Sequence, residues 1–182
     1  MNRRTILAGL AAAAVLPVGA YAQAAIDPEN LLYMDLKYGR VEIQLFPDLA
    51  PKHVAQIKAL TREGFYNNLL FHRVIEGFMA QGGDPSGTGG GGSKMPNVPA
   101  EFTNKRHFLR GTVGAARTSD PNSANSQFFI MFAPGASLDG QYTIWGQVVK
   151  GMEFVDMIKR GEGRSMANPD RIVKMQVAAD AK

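Results

Sequence analysis

The run SQFFIMF, residues 126 to 132, constrains the fold more than any other stretch. Aromatic and branched residues of this kind favour a strand, on which side chains alternate between faces. Phe128, Ile130 and Phe132 then share one face, and Phe129 and Met131 share the other with Gln127. Both faces are apolar. In a chain of 182 residues one face can fill the core. The other must be covered, or stay as an apolar patch of the kind that marks a binding site.

A second stretch, FHRVIEGFMAQGGD at 71 to 84, sets an arginine and a glutamine among large apolar residues. Phe71 to Ile75 suits a strand, Glu76-Gly77 a tight turn, and Phe78 to Gln81 a returning strand that Gly82-Gly83-Asp84 ends. Alternation puts Phe71 with Arg73 on one face, and Met79 with Gln81 on one face after the turn. A cation and an amide then border an apolar surface. Taken alone, Arg73 reads as a surface residue whose stem lies over apolar neighbours. If it acts chemically, it acts as a fixed donor and charge, because a guanidinium keeps its proton at every working pH.

The rest of the pattern supplies short strands and two helices. Leu32, Met34 and Leu36, then Val41, Ile43 and Leu45, alternate about a Tyr38-Gly39 turn and predict an opening hairpin. Pro51 starts and Gly64 stops a helix in which Val54, Ile57 and Leu60 recur at helical spacing, with His53 on its solvated side. Gly111 to Ala116 and Tyr142 to Val149 read as strands, and Ile172 to Ala178 as a closing strand. A second helix buries Phe154, Met157 and Ile158, carries Lys159-Arg160 at its negative end, and stops at Gly161 and Gly163. Many short strands without a βαβ rhythm predict a mainly β, chiefly antiparallel sheet that removes its edges by closing.

The first residues read as an address. Met1 to Arg4 is basic, Ile6 to Val18 is apolar but too short to span a bilayer, and Ala20-Tyr21-Ala22 puts small residues at the cleavage positions. Residues 1–22 are expected to be a signal peptide cut after Ala22, with Ala24 as the alternative. Residues 23–30 form a short N-terminal extension and 31–182 one domain. The expected location is the periplasm, reached by the Sec or the twin-arginine route, without stable membrane insertion; Arg3-Arg4 ahead of apolar residues resembles a twin-arginine leader but is also common in ordinary secretory leaders, so both routes stay open. Two charges of the formal +4 belong to that leader, and no block of like charge remains, so nucleic acid is not an expected partner. A monomer is expected.

Several chemistries drop out. Without cysteine there is no disulfide, thiolate zinc site or cysteine nucleophile. The three histidines, His53, His72 and His107, show no metal-binding spacing, and there is no G-x-S-x-G elbow. Neither a hydrolase nor a metal or other cofactor is expected. Gly87 to Gly92 matches a G-x-G-x-x-G string, but no helix pattern follows it, and Ser93-Lys94 inverts the order of a phosphate loop. His72, next to Arg73, is expected to be buried and structural.

FHRVIEGFMAQGGD, the GTGG at 87 to 90 and NSQFFI at 125 to 130 resemble the signature segments of the cyclophilins, the cyclosporin-binding class of peptidyl-prolyl isomerases. The likeness runs from about Leu32 to about Ala178, with the segments in family order, and is nearest to short exported bacterial cyclophilins. It implies a closed eight-stranded antiparallel barrel with an α-helix over each open end and a substrate groove on the outer wall. It implies rotation about X-Pro bonds, with Arg73 as the catalytic donor and the proline ring held by Phe78, Met79, Phe129 and Leu138. Gln81 and Gln127 would orient peptide carbonyls or Arg73. Arg117, Thr118 and Ser119 would bind the residue before proline, with Tyr142 at the pocket edge and Gly87, Thr88, Gly89 and Gly90 forming a loop beside the groove. From the residues alone, the four apolar side chains read first as core, and the two glutamines serve equally as structural amides. The implied partners are proline-containing polypeptides, unfolded or partly folded after export.

Three positions depart from the family pattern. Ser137 stands where many eukaryotic members carry the tryptophan that binds cyclosporin, so weak or no cyclosporin binding is expected. Tyr142 replaces a histidine, and Trp145 a phenylalanine, the latter serving packing. The competing reading is a non-catalytic proline-peptide binding module or periplasmic holdase in the same groove. A pure binder has no need of a guanidinium beside a proline pocket, which favours the enzyme.

Overall fold

The computed structural model describes residues 26–162 and 166–181; the expected signal peptide and its cleavage site, and Gly163, lie outside the described residues. In β1 (Leu31–Leu36) and β2 (Gly39–Leu45) every second side chain is buried, as the hairpin pattern predicts. Helix α1 (Pro51–Arg62) starts on a proline whose φ suits a first turn and stops ahead of Gly64, which adopts left-handed backbone at φ +71°. Glu29, just ahead of β1, is tied to this helix by ion pairs with Lys58 and Arg62.

The remaining strands are β3 (Arg73–Ile75), β4 (Met79–Gly82), β5 (Thr112–Ala115), β6 (Phe128–Met131), β7 (Ile144–Lys150), β8 (Gly161–Glu162) and β9 (Lys174–Val177), with α2 (Met152–Asp156) after β7. All nine belong to one antiparallel sheet in the order β8-β3-β4-β6-β5-β7-β2-β1-β9. The closed eight-stranded barrel implied by the resemblance is therefore corrected to a nine-stranded, curled half-barrel. The short β8 occupies the outer edge of β3, so no ladder joins β3 to β9. The two ends of the sheet approach where Leu70 bridges Arg171 and the Phe71 N–H donates to the Asp170 carbonyl.

The two faces of SQFFIMF part as expected. Phe128, Ile130 and Phe132 enter the interior with Val74, Ala80, Val113 and Trp145, under Val54, Ile57 and Leu60 of α1. Trp145 is fully buried, edge-on to Phe128, in the packing role expected of it. Phe129 and Met131 belong instead to a second apolar cluster on the outer wall, with Phe46, Met79, Phe108 and Ile144. Burial of each such side chain is worth about 1.5–3 kcal/mol, so both faces contribute to stability.

Several expectations are corrected by tertiary contacts. Phe71 does not share a face with Arg73: it is fully buried in the interior, because β3 begins only at Arg73 and the preceding residues bend toward the 170–172 segment. His53 is buried rather than solvated. The Glu101 carboxylate accepts from the Lys52 and His53 N–H groups at the start of α1 and lies 2.7 Å from His53 Nδ1. Helix α2 has only five residues, and Met157 is 53% exposed although Val155 and Ile158 are buried. The early stop has a cause, since Arg160 Nη1 takes the Asp156 and Ile158 carbonyls, the basic closure of the helix end that the sequence predicts. The closing strand expected over Ile172 to Ala178 is shorter, Lys174–Val177; ahead of it Ile172 is buried and Val173 exposed.

Candidate active site

Strand register builds the site. Arg73 is paired with Gln81, Gln81 with Phe129, and Phe129 with Gly114. Directly paired residues point to the same side of a sheet, so guanidinium, amide and ring form one row on the outer wall. The neighbouring row of Val74, Ala80, Ile130 and Val113 points inward and is buried. Gly114 supplies room instead of a side chain. A Cβ there would lie 2.6 Å from Phe129 and 2.7 Å from Phe108, whose rings stack at a centroid distance of 5.6 Å.

A cleft of about 290 Å³ opens beside this row, lined by Arg73, Phe78, Met79, Gln81, Ala116, Arg117, Phe129, Leu138 and Tyr142. The four side chains named for a proline pocket thus come together. Met79 and Phe129 are buried members of the outer cluster, and Phe78 and Leu138 are half-buried against it, so they serve as core and as wall at once. Leu138 is set by a 3₁₀ turn, Ala136–Leu138, on which Ser137 is exposed. Tyr142 meets Phe129 edge-on at 5.7 Å, and the Arg117 guanidinium lies 4.5 Å from the Tyr142 ring centre. The volume is at the low end of the ~300–1,000 Å³ of small-molecule sites, suited to one ring and its flanking amides.

The polar side of the site is ordered by hydrogen bonds. Gln127 Nε2 donates to the Gly89 and Gly91 carbonyls at 2.9 and 2.7 Å, so its Oε1 is turned to accept from Gln81 Nε2 at 2.9 Å. The loop that supplies those carbonyls is tied to the buried Asp84 carboxylate, which accepts from the N–H groups of Ser86, Thr88 and Gly89 and from Ser86 Oγ. Burial by itself raises the Asp84 pKa, but the bonds from Ser86, Gly91 and Gly89 outweigh it and hold the group below its ordinary 3.8. Gly89 and Gly90 line a second cleft of about 390 Å³ with Gln81, Thr118, Asn125 and Gln127, among others. Gly87 and Thr88 face neither cleft.

The segment after β5 is braced internally. Arg117 Nε and Nη2 donate to the Gln141 carbonyl, and Nη1 to those of Thr118 and Ser119. Arg117 lines both clefts, Thr118 only the second, and Ser119 neither. Sequence reasoning missed Ala116, which lines both clefts, and also Asp84, Asn125 and Glu162. Asp84 had a local signal, since an aspartate ahead of Pro-Ser-Gly is a common turn former. Asn125, which binds the Ser93 N–H and the Met95 carbonyl, and Glu162 had none.

Arg73 Nε donates to Glu162 Oε1 at 2.7 Å, while its terminal nitrogens bond no described residue. His72 is buried, and burial pushes its pKa below 6.5, which keeps the imidazole neutral beside the row. Among the described residues no group of three His, Asp or Glu side chains is placed to hold a metal. The row thus offers a permanent cation, two oriented amides and an apolar slot. It can polarise and grip a ligand without exchanging a proton. A larger cleft of about 710 Å³, between Phe102, Arg106 and Asp139, lacks such a row: Arg106 stacks on Phe46, and His107 bonds Asp139.

Residues 31–178 match the family described as "Cyclophilin type peptidyl-prolyl cis-trans isomerase/CLD". A protein of Brucella suis biovar 1, named a probable peptidyl-prolyl cis-trans isomerase, is 54% identical over 97% of this chain and 98% of its own length. A peptidyl-prolyl cis-trans isomerase of Synechococcus elongatus is 39% identical over 81% and 96%. Among solved structures, a cyclophilin of Hirschia baltica superposes with a TM-score of 0.78 at 30% identity, over 86% of this chain and 77% of that one. A cyclophilin-type isomerase of Cryptosporidium parvum, crystallised in the presence of the dipeptide Ala-Pro, gives 0.74 at 29% identity, over 81% and 98%. Since that match spans the strands, the row and both clefts, the chain belongs to the cyclophilin-type peptidyl-prolyl cis-trans isomerases.

Proposed function

We infer that this isomerase turns X-Pro bonds in exported polypeptides still folding in the periplasm, as a monomer, with Arg73 as the catalytic residue. The observation that carries the chemistry is the guanidinium at the rim of the cleft between Phe78, Met79, Phe129 and Leu138, held at Nε by Glu162, with no bond from its terminal nitrogens to another described residue. An X-Pro bond exchanges over tens to hundreds of seconds, because amide resonance sets a barrier of about 20 kcal/mol. Twisting the bond localises the lone pair on the prolyl nitrogen. A guanidinium donating to that nitrogen is bound more strongly in the twisted state than in either planar one, which lowers the barrier. A charged hydrogen bond is worth about 1.5–3 kcal/mol, or roughly two decades in rate at most. The remainder comes from seating the ring in the apolar slot and holding the chain on either side of the bond, the role assigned to Gln81, Gln127 and the Arg117–Thr118–Ser119 segment.

The Ala-Pro dipeptide used with the Cryptosporidium relative supports a prolyl peptide as the ligand class. The basic, then apolar, then small-residue order of the first 22 residues supports export. With Ser137 on an exposed turn there is no indole to cover cyclosporin, and weak binding or none is expected. The test is isomerisation of an X-Pro tetrapeptide, and refolding of a protein limited by a proline, with wild type and Arg73→Ala. A drop of about 10–100-fold in kcat/KM in the variant is expected. Full activity in Arg73→Ala defeats the assignment of Arg73, and recovery of the tagged full chain in the cytoplasmic fraction defeats the assignment of clients.

A further inference from the structure

We propose that Glu162 is a positioning residue for Arg73: its carboxylate holds the guanidinium by the root and leaves the two terminal nitrogens for substrate. The inference rests on the catalytic reading of Arg73 and adds a residue to it. In the sheet order β8-β3-β4, Arg73 lies between two cross-strand partners, Glu162 on one side and Gln81 on the other. The pair is anchored in backbone. Strand β8 consists of Gly161 and Glu162 paired with Val74 and Arg73, so a residue 89 positions away is brought opposite the arginine.

The atom used matters. An arginine on the surface spreads over many rotamers, and its planar fork is useful only when it is oriented. A charge-assisted bond at Nε, 2.7 Å from Glu162 Oε1, fixes the plane near the side-chain stem without occupying Nη1 or Nη2. A bidentate grip on the terminal nitrogens would use up the donors that a substrate needs. Both side chains are also substantially exposed, at 42% and 55%. Exposed ion pairs contribute little to folding, so the consequence of losing this one falls on orientation of the guanidinium rather than on stability.

The test compares kcat and KM for an X-Pro tetrapeptide in wild type, Glu162→Ala, Glu162→Gln, Arg73→Ala and the Arg73→Ala/Glu162→Ala double variant, with thermal melts to verify folding. Glu162→Ala should lower kcat about three- to fivefold, in line with the coupling of exposed charge pairs. KM should stay within about twofold, since the apolar slot is untouched. Glu162→Gln keeps an acceptor oxygen and should recover most of the rate. In the Arg73→Ala background, removing Glu162 should change nothing. An unchanged or faster Glu162→Ala, a Glu162→Gln as slow as Glu162→Ala, or an equal drop in the Arg73→Ala background overturns the proposal. Loss of activity in Arg73→Ala beside a normal Glu162→Ala removes this inference alone. Full activity in Arg73→Ala removes the reading of Arg73 and this inference with it.

Discussion

Gly114→Ala probes the floor of the cleft with the smallest change available. The added methyl would sit 2.6 Å from Phe129 and 2.7 Å from Phe108, 0.8 Å and 0.7 Å short of the 3.4 Å at which ordinary contact begins. Both rings are buried and stacked, and Phe129 is also held edge-on by Tyr142, so neither can swing away freely. Overpacking of this kind costs about 1–3 kcal/mol. The lower entropy of the unfolded chain with alanine returns about 0.4–1 kcal/mol. A net loss of about 1–2 kcal/mol follows, or roughly 2–8 °C in Tm for a domain of this size. Because Phe129 lines the cleft, its retreat from the methyl also displaces the wall proposed to hold the proline ring. Misplacement by about 1 Å can cost up to a hundredfold, so kcat/KM for an X-Pro peptide should fall about tenfold. Thermal melts and the isomerase assay on the same preparation give both numbers. Wild-type Tm together with wild-type activity would refute the steric reasoning.

Gln127→Ala removes the bonds to the Gly89 and Gly91 carbonyls and the partner of Gln81; faster amide exchange in the 84–93 loop and a several-fold rise in KM are expected, and unchanged exchange there counts against the relay. Acid should destabilise the protein in two stages. Burial holds the His53 pKa below 6.5, so under that pH the unfolded chain takes up a proton that the folded one resists, and stability declines. For Glu101, Asp84 and Asp170, burial is outweighed by bonds from His53, Ser86 and Lys37 respectively, and their pKa values lie below 4.5, 3.8 and 3.8. The stability they contribute is complete above those values and is lost as pH falls through the depressed ones. Urea midpoints from pH 8 to pH 3 check this, and a rise toward acid contradicts it.

Legibility in the sequence followed the range of the interactions. The hairpin and α1 could be read because burial repeats with the local period of each element, and the 126–132 strand because its apolar run is buried on both faces. The same period placed Gln81 with Met79 and divided Phe128 from Phe129. It failed at Phe71, where the chain leaves strand geometry to meet the 170–172 segment, and at Met157, where a side chain from the next turn ends the helix early. His53 was misread for a related reason, since Glu101 lies 48 residues away and no helical pattern reports it.

By itself the sequence determined that the chain is mainly β, that one strand is apolar on both faces, and that an arginine, two glutamines and a set of large apolar side chains belong to two short segments. These follow from side-chain alternation and composition, which act over a few residues. Tertiary structure decided which of them meet. Strand register put Arg73, Gln81 and Phe129 in one row; the open strand order, rather than a closed ring, left the edge of β3 to a two-residue strand. That edge brought Glu162 to the guanidinium, a contact set by backbone pairing between segments far apart in the chain. Pairing partners depend on the packing of the whole sheet, and neither residue carries a local mark of the other.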